Sequence, residues 1–429
     1  MPEIQLSISE ETAALAAGWK ALRGASIPAA FNMLSDLAGS MDTTPEQVAR
    51  AILSLPPENT RSLRDFLRLC AAGAQSAHDI SGELAAVVSN QQWKNATGVK
   101  TETPLDIALP RPAREARPLA MSSIRIVAKL TDLEAVAIRR KVPLAEACRI
   151  LAAQGKDREQ LWSDHERQAE TRDAVAGVFD EGRFCRIDAL TSEFARGAEL
   201  LVALGGDGNF AAVSHFVNGR TAVTGVNIDP ETSRGAILQY ANASMFLDSL
   251  DDLVRGNFRY DPWPRLSAKI NGQPIQQATC EIYLGSASPY RMSWIRHCGE
   301  SAAGNRSPDY ITSSSGLLIS LGSGLFLQNA GRSIFPGKIL FPVNAPYARY
   351  LFREINRSEA ENSTDGAAQE QLRDSASGVI LPGETLSVTS LTRGPALLAV
   401  DSQLEYGLNN GTTVEISLAS EPLWTVKPL

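Results

Sequence analysis

The sequence predicts an α/β domain with a doubly wound parallel sheet, preceded by an all-α domain and followed by a β-rich domain. Three observations predict it. Residues 11–90 carry apolar side chains at three- and four-residue spacing. Short apolar runs alternate with helical segments between residues 124 and 227. Beyond about residue 250 the texture changes to short strands broken by Gly, Pro and Asn. At 429 residues and 44% hydrophobic content the chain is long enough for two or three cores. The expected division is an all-α domain over residues 1–98, a linker over 99–121, an α/β domain over 122–250 and a β-rich domain over 251–429.

In the first domain, segments 11–22, 28–41, 45–53, 60–74 and 78–90 are Ala/Leu-rich and amphipathic, with Ser9 and Thr44-Pro45 as helix starts. It holds no catalytic constellation, so partner binding or oligomerisation is its expected role. Residues 101–118 contain four prolines and charges of both signs and read as a linker. Strands follow at 124–130, 183–187, 200–204 and 222–227, with helical stretches at 144–154 and 159–179. Ligands of such sheets lie at the carboxyl ends of the strands. In the β-rich half, strands are expected at 265–270, 275–284, 317–321, 339–341, 385–388, 396–401 and 412–417, with Asn271-Gly272 and Asn410-Gly411 as hairpin turns. The polar run between 354 and 377 has little to bury and is expected to be a surface loop.

A net charge of −7 with no extended basic stripe argues against a nucleic-acid binder, although a local cradle suffices for a nucleotide. Cys70, Cys148, Cys185, Cys280 and Cys298 are scattered, which implies reduced thiols and no zinc site. His165 and His215 read as structural or surface residues, and no residue is assigned as a metal ligand. Neither a signal peptide nor a membrane-length apolar run is found, so a cytoplasmic location is expected, with no membrane partner.

Chemistry concentrates after the third strand, at Gly205-Gly206-Asp207-Gly208-Asn209. Glycines let a backbone approach a ligand, and the helix that follows aims N–H groups at an anion. A carboxylate in the centre of a phosphate loop needs a reason, such as taking a proton from an attacking hydroxyl. The plainer reading is a helix cap.

Further motifs follow in order: Gly225-Val226-Asn227-Ile228-Asp229-Pro230-Glu231-Thr232-Ser233-Arg234-Gly235, Ser288-Pro289-Tyr290-Arg291-Met292, Ser314-Ser315-Gly316-Leu317-Leu318-Ile319-Ser320 and Val400-Asp401-Ser402-Gln403. Together with the glycine loop they resemble the ATP-dependent NAD kinase family, nearest its mitochondrial-type branch, from about residue 120 to the end of the chain. The resemblance implies an NAD-kinase-like fold and transfer of phosphate from ATP, with Mg²⁺, to the 2′-hydroxyl of NAD's adenosine ribose, giving NADP. It implies Asp207 as general base and Gly205, Gly206, Gly208 and Asn209 at the phosphates. Asn227, Asp229 and Glu281 would hold nucleoside hydroxyls, and Arg291 and Arg234 would pair with phosphate. Gly322, Ser323 and Gly324 would form the glycine-rich turn. It also implies a homo-oligomer. Two departures stand out. Leu321-Gly322-Ser323-Gly324-Leu325 replaces a hydroxyl-rich turn, and Thr279-Cys280-Glu281 has a thiol where the family has an adenine-contacting amide. Two other readings stay open: a kinase for another nucleotide or a lipid alcohol, and an NAD(P)-binding sensor that signals through the N-terminal domain.

Overall fold

The computed structural model describes residues 112–324, 343–355 and 377–429, save positions 181, 218, 234, 289, 301, 303, 305 and 308. The expected N-terminal helical domain, the strand at 339–341, Arg234 and most of the 354–377 run lie outside the described residues.

Four parallel strands, β1 (Ile124–Ala128), β2 (Phe184–Arg186), β3 (Leu200–Gly205) and β4 (Ala222–Asn227), lie in the order β2-β1-β3-β4. Every residue of β3 and β4 is buried, as expected of central strands covered on both faces. Helices fill the crossovers. α1 (Asp132–Arg140) opens with a capping box in which Thr131 and Glu134 satisfy each other's backbone N–H. α2 (Leu144–Ala153) follows Pro143, and α3 (Arg158–Ala176) is capped by Asp157. The short α4 (Ser192–Ala195) precedes β3, and α5 (Asp207–Ser214) follows it. α6 (Ala243–Asp248) and α7 (Leu250–Arg255) complete the layer, and α7 stops at Gly256 with φ +82°.

The sheet does not end near residue 250. β5 (Phe258–Trp263) and the last strand, β18 (Leu423–Pro428), complete it in the order β4-β18-β5, with β18 parallel to β4 and β5 antiparallel to β18. The contiguous boundary expected from sequence is therefore corrected: the C-terminal strand returns to the α/β sheet. The expected linker is corrected in its second half. Leu119 is buried with its N–H on the Leu253 carbonyl, and the Arg114 guanidinium lies 4.0 Å over the Tyr260 ring. Apolar side chains in this stretch cover the α7–β5 side of the core.

The remaining strands form two antiparallel sheets. One contains β6 (Leu266–Ile270), β7 (Gln273–Pro274), β9 (Ser293–Glu300), β10 (Tyr310–Ser314), β14 (Thr385–Ser390) and β17 (Thr413–Leu418), and the other β8 (Glu281–Ser286), β11 (Gly316–Ser320), β12 (Ala348–Arg353), β13 (Ser377–Ile380), β15 (Ala396–Val400) and β16 (Leu404–Leu408). One core is shared by Leu266, Ile295, Val388 and Ile416 from the first and Ile282, Leu284, Ile319 and Leu398 from the second, so the sheets pack face to face as a sandwich. Asn271 and Gly272 take φ 49° and 80° and close the β6–β7 hairpin as the sequence predicts. Asn410-Gly411 does not close a hairpin: β16 pairs with β15 in one sheet and β17 with β14 and β6 in the other, so this turn carries the chain between sheets. The expected strand at 275–284 is also corrected, because β8 starts only at Glu281, Ala278 is bridged to Leu266 of the other sheet, and Thr279 turns to Ser214 at the end of α5.

Candidate functional site at the glycine loop

The strand order changes direction between β1 and β3, which places a crevice at their carboxyl ends. The glycine loop sits there. Gly205 closes β3, Gly206 precedes α5 in extended conformation, and Asp207 is the first helical residue. Asn209 turns inward: its Nδ2 donates to the carbonyls of Val127 (3.2 Å) and Leu204 (3.3 Å), bridging β1 and β3. It closes the bottom of the crevice and spends its donors on the strands, leaving the glycines to form the floor.

Asp207 does not cap its own helix; no side chain does. Its Oδ1 accepts from Ile237 N–H and its Oδ2 from Ala236 N–H, each at 3.0 Å. The carboxylate thus ties the loop after β3 to the loop after β4. Each oxygen keeps a second lone pair, so a fixed, half-buried carboxylate remains able to accept a substrate hydroxyl. Ser233 Oγ lies against the α-carbon of Gly206, 3.6 Å from where a β-carbon there would stand.

The β4 loop is held from inside. Asn227 Oδ1 accepts from Asp229 N–H (3.0 Å) and its Nδ2 donates to the Ser233 carbonyl (2.7 Å). Asp229 is fully buried and accepts from Arg167 Nε (3.2 Å) and Nη2 (3.1 Å), Gln168 Nε2 (2.8 Å) and Thr232 Oγ1 (2.7 Å). Burial would push its carboxyl up, but Arg167, Thr232 and Gln168 outweigh it and hold it below the usual range. Two of the three residues expected at nucleoside hydroxyls, Asn227 and Asp229, are therefore engaged within the protein, Asp229 chiefly by an arginine on α3.

The sandwich meets the loop through one turn. Asp401 Oδ1 accepts from Cys280 N–H (2.8 Å) and Glu281 N–H (2.9 Å), and its Oδ2 from Thr279 N–H (2.8 Å), with His215 Nε2 also 2.8 Å away. Gln403 Nε2 donates to the Gly208 carbonyl at 3.1 Å. Asp401 and Gln403 thus reach opposite ends of α5 from a single turn. Glu281 is buried beside this turn. Burial pushes the Cys280 thiol well up, with the charges of Asp401, Glu281 and Asp207 acting in the same direction. Arg265, buried, donates to the Ser214 and Val217 carbonyls past the end of α5, and burial lowers it to about 10.

The glycine-rich turn after β11 satisfies its own hydroxyls. Ser320 Oγ donates to the Leu321 carbonyl and Ser323 Oγ to the Thr279 carbonyl (2.5 Å). Leu321 N–H donates to the Cys280 carbonyl, which stitches this turn to the start of β8. Ser323 is thus beside Cys280 and Glu281, while Arg291 is elsewhere. It lies exposed in the β8–β9 connection near Gly394 and over Tyr290. Strand geometry places that end of β8 about 17 Å from Glu281. The structure gathers Asp207, Gly206, Gly208, Cys280, Glu281, Ser323, Asp401 and Gln403 about α5. Sequence reasoning left Asp401, Gln403 and His215 out of the site, although the Asp401-Ser402-Gln403 motif signalled the first two.

Among the described residues no three His, Cys, Asp or Glu side chains gather to hold a metal. No described helix is long and apolar enough to cross a membrane.

The fold is thus a doubly wound domain with an acid-centred glycine loop at the carboxyl ends of its strands, met by a β-sandwich through the Asp401–Gln403 turn. No protein-family model matches the chain. It is 24% identical over 247 residues to a probable NADH kinase of Oryza sativa subsp. japonica, spanning 54% of this chain and 71% of that protein. It is 24% identical over 227 residues to an NAD kinase of Methanospirillum hungatei, spanning 52% and 72%. An NAD kinase from Archaeoglobus fulgidus, solved in complex with ATP, superposes with TM-score 0.44 at 13% identity, covering 70% of this chain and 92% of that one. The resemblance to the NAD kinase family carried by the motifs is shown by the two curated relatives.

Proposed function

We propose that the chain is a phosphotransferase of NAD kinase type that moves the γ-phosphate of ATP to the 2′-hydroxyl of the adenosine ribose of NAD, giving NADP. The observation that carries this reading is Asp207, an acid fixed by two backbone N–H groups in the middle of a phosphate-loop backbone. The ribose hydroxyl donates to Asp207 as its oxygen attacks phosphorus in line. The proton passes to the carboxylate, and ADP leaves. The glycine backbone and the first turn of α5 orient the phosphates and offset their charge. Mg²⁺ would supply further charge neutralisation. Glu281 would hold a ribose hydroxyl.

The test is NADP formation by the purified full chain with NAD, ATP and Mg²⁺, run beside Asp207→Asn. Loss of a general base lowers kcat by about 10²–10⁴-fold, so turnover that falls in this range while NAD binding persists supports the reading. Equal turnover by the variant removes Asp207 from the chemistry.

A second reading, an NAD(P)-binding sensor without turnover, is favoured by the turn after β11, whose Ser320 and Ser323 hydroxyls are spent on the protein's own carbonyls. Calorimetric binding of NAD or NADP without NADP formation would select it.

A further inference from the structure

One cation at the crevice has no part in the scheme above. Ala128 pairs with Leu204 across the β1–β3 ladder, and the next N–H, that of Lys129, donates to the Leu204 carbonyl at 2.9 Å. Lys129 therefore stands opposite Gly205, where the strand order reverses. Side-chain alternation decides its face. Ile124, Ile126 and Ala128 belong to the core on one side of the sheet. Val127 belongs to the other, with Phe210 and Val213 of α5, and Arg125 lies over the ring of Phe194 in that same layer. Period-two geometry puts Lys129 with Arg125 and Val127, on the side that α5 covers and at the end where α5 begins.

Neighbouring charges are already matched. Arg167 is held by Asp164 and Asp229, Lys156 by Asp132, and Lys427 by Asp261. Among the described residues Lys129 is in none of the ion pairs, and Asp207 gives its two oxygens to Ala236 and Ile237 N–H. The loop itself carries Asp207, and Glu281 is nearby, so a polyphosphate lying on Gly206 and Gly208 meets two acids. A half-buried lysine standing opposite Gly205 on the α5 side of the sheet is the group to offset them.

We propose that Lys129 is a phosphate-binding residue of this site, its ammonium pairing with the phosphate chain of a nucleotide seated on the glycine loop. This rests on the reading of the loop as a nucleotide site, though not on turnover. The experiment titrates the full chain by calorimetry with ADP and, separately, with adenosine, for wild type, Lys129→Met and Lys129→Arg. A charge-assisted contact implies that Lys129→Met weakens ADP by about 10–100-fold. Adenosine binding should stay within about twofold, and Lys129→Arg should recover most of the ADP affinity. Unchanged ADP affinity in Lys129→Met overturns the proposal. So does equal loss of adenosine and ADP, equal loss in both variants, or no measurable ADP binding by wild type. Should Lys129→Met lose its cooperative melt, Lys129→Gln takes its place in the comparison. NADP formation is assayed in parallel. Lys129-dependent ADP binding without turnover removes the kinase reading and keeps this one, and turnover with Lys129-independent binding does the reverse.

Discussion

Gly205 has no room for even a methyl group. A β-carbon there would stand 2.7 Å from the Asn209 β-carbon and 2.9 Å from its Nδ2. Because Asn209 holds the ends of β1 and β3 through that nitrogen, Gly205→Ala must push it off the Val127 and Leu204 carbonyls. Overpacking of this kind costs about 1–3 kcal/mol, so a melt several degrees lower is expected by calorimetry, with weaker ADP binding because the crevice floor has moved. A variant that melts and binds like wild type would show that Asn209 has another resting place. At this scale the sequence was legible in residue types and silent on partners. The acid among glycines was plain, but Asp207 is fixed by residues 29 and 30 positions away, and Asp229 by an arginine 62 positions away. Local spacing carries no record of such pairings. Ser402 is a related case, since it holds φ 55°, in the left-handed region that favours glycine.

Elements buried on both faces were legible, and those at edges were not. β3 and β4 read as continuous apolar runs because no face of them meets water. β9, with Trp294 and Arg296 exposed between buried residues and Glu300 exposed at its end, does not read as a continuous apolar run. The run at 275–284 was expected as one strand, yet Asp401 takes the N–H groups of Thr279, Cys280 and Glu281 away from any ladder. This single carboxylate holds the start of β8, and Asp401→Asn tests it. The amide offers one acceptor oxygen and turns an N–H₂ toward groups that are themselves donors. Leaving such donors unsatisfied costs about 1–3 kcal/mol each. A melting temperature lower by several degrees is expected, since 1 kcal/mol moves the melt of a domain of about 150–250 residues by about 2–4 °C. NAD binding should weaken as well, because Glu281, the proposed ribose contact, loses the carboxylate that holds its backbone N–H. An unchanged melt would mean that the sandwich core alone holds the turn.

For the whole molecule, three carboxylates join parts of the chain far apart in sequence. Glu134 on α1 is paired with Arg172 on α3 (2.8 Å), Asp229 after β4 with Arg167 on α3, and Asp261 on β5 with Lys427 on β18 (2.6 Å). The last pair fastens the returning C-terminal strand, the feature least visible from sequence because nothing local marks a strand that joins a sheet begun 300 residues earlier. For each acid burial alone would push the carboxyl up. The backbone N–H of Thr131 with Arg172 for Glu134, Arg167 for Asp229 and Lys427 for Asp261 outweigh it and hold the carboxyl below its usual range. A carboxyl lowered in the folded state stabilises the fold above its unfolded value, near pH 4, and that stability is lost as pH falls through the folded value. Stability should therefore be flat from about pH 7 to 5 and drop steeply below about pH 4. Asp229→Asn removes one of the three, so its denaturant-unfolding free energy at pH 7 should be lower than wild type by about 2–4 kcal/mol, as Arg167 is left without its buried partner. Its decline between about pH 5 and 2 should be shallower, because one proton fewer is taken up on unfolding of the native network. Parallel declines in the two proteins would place the acid sensitivity outside the α3–β4 contact and leave Asp229 as a positioning group for the β4 loop alone.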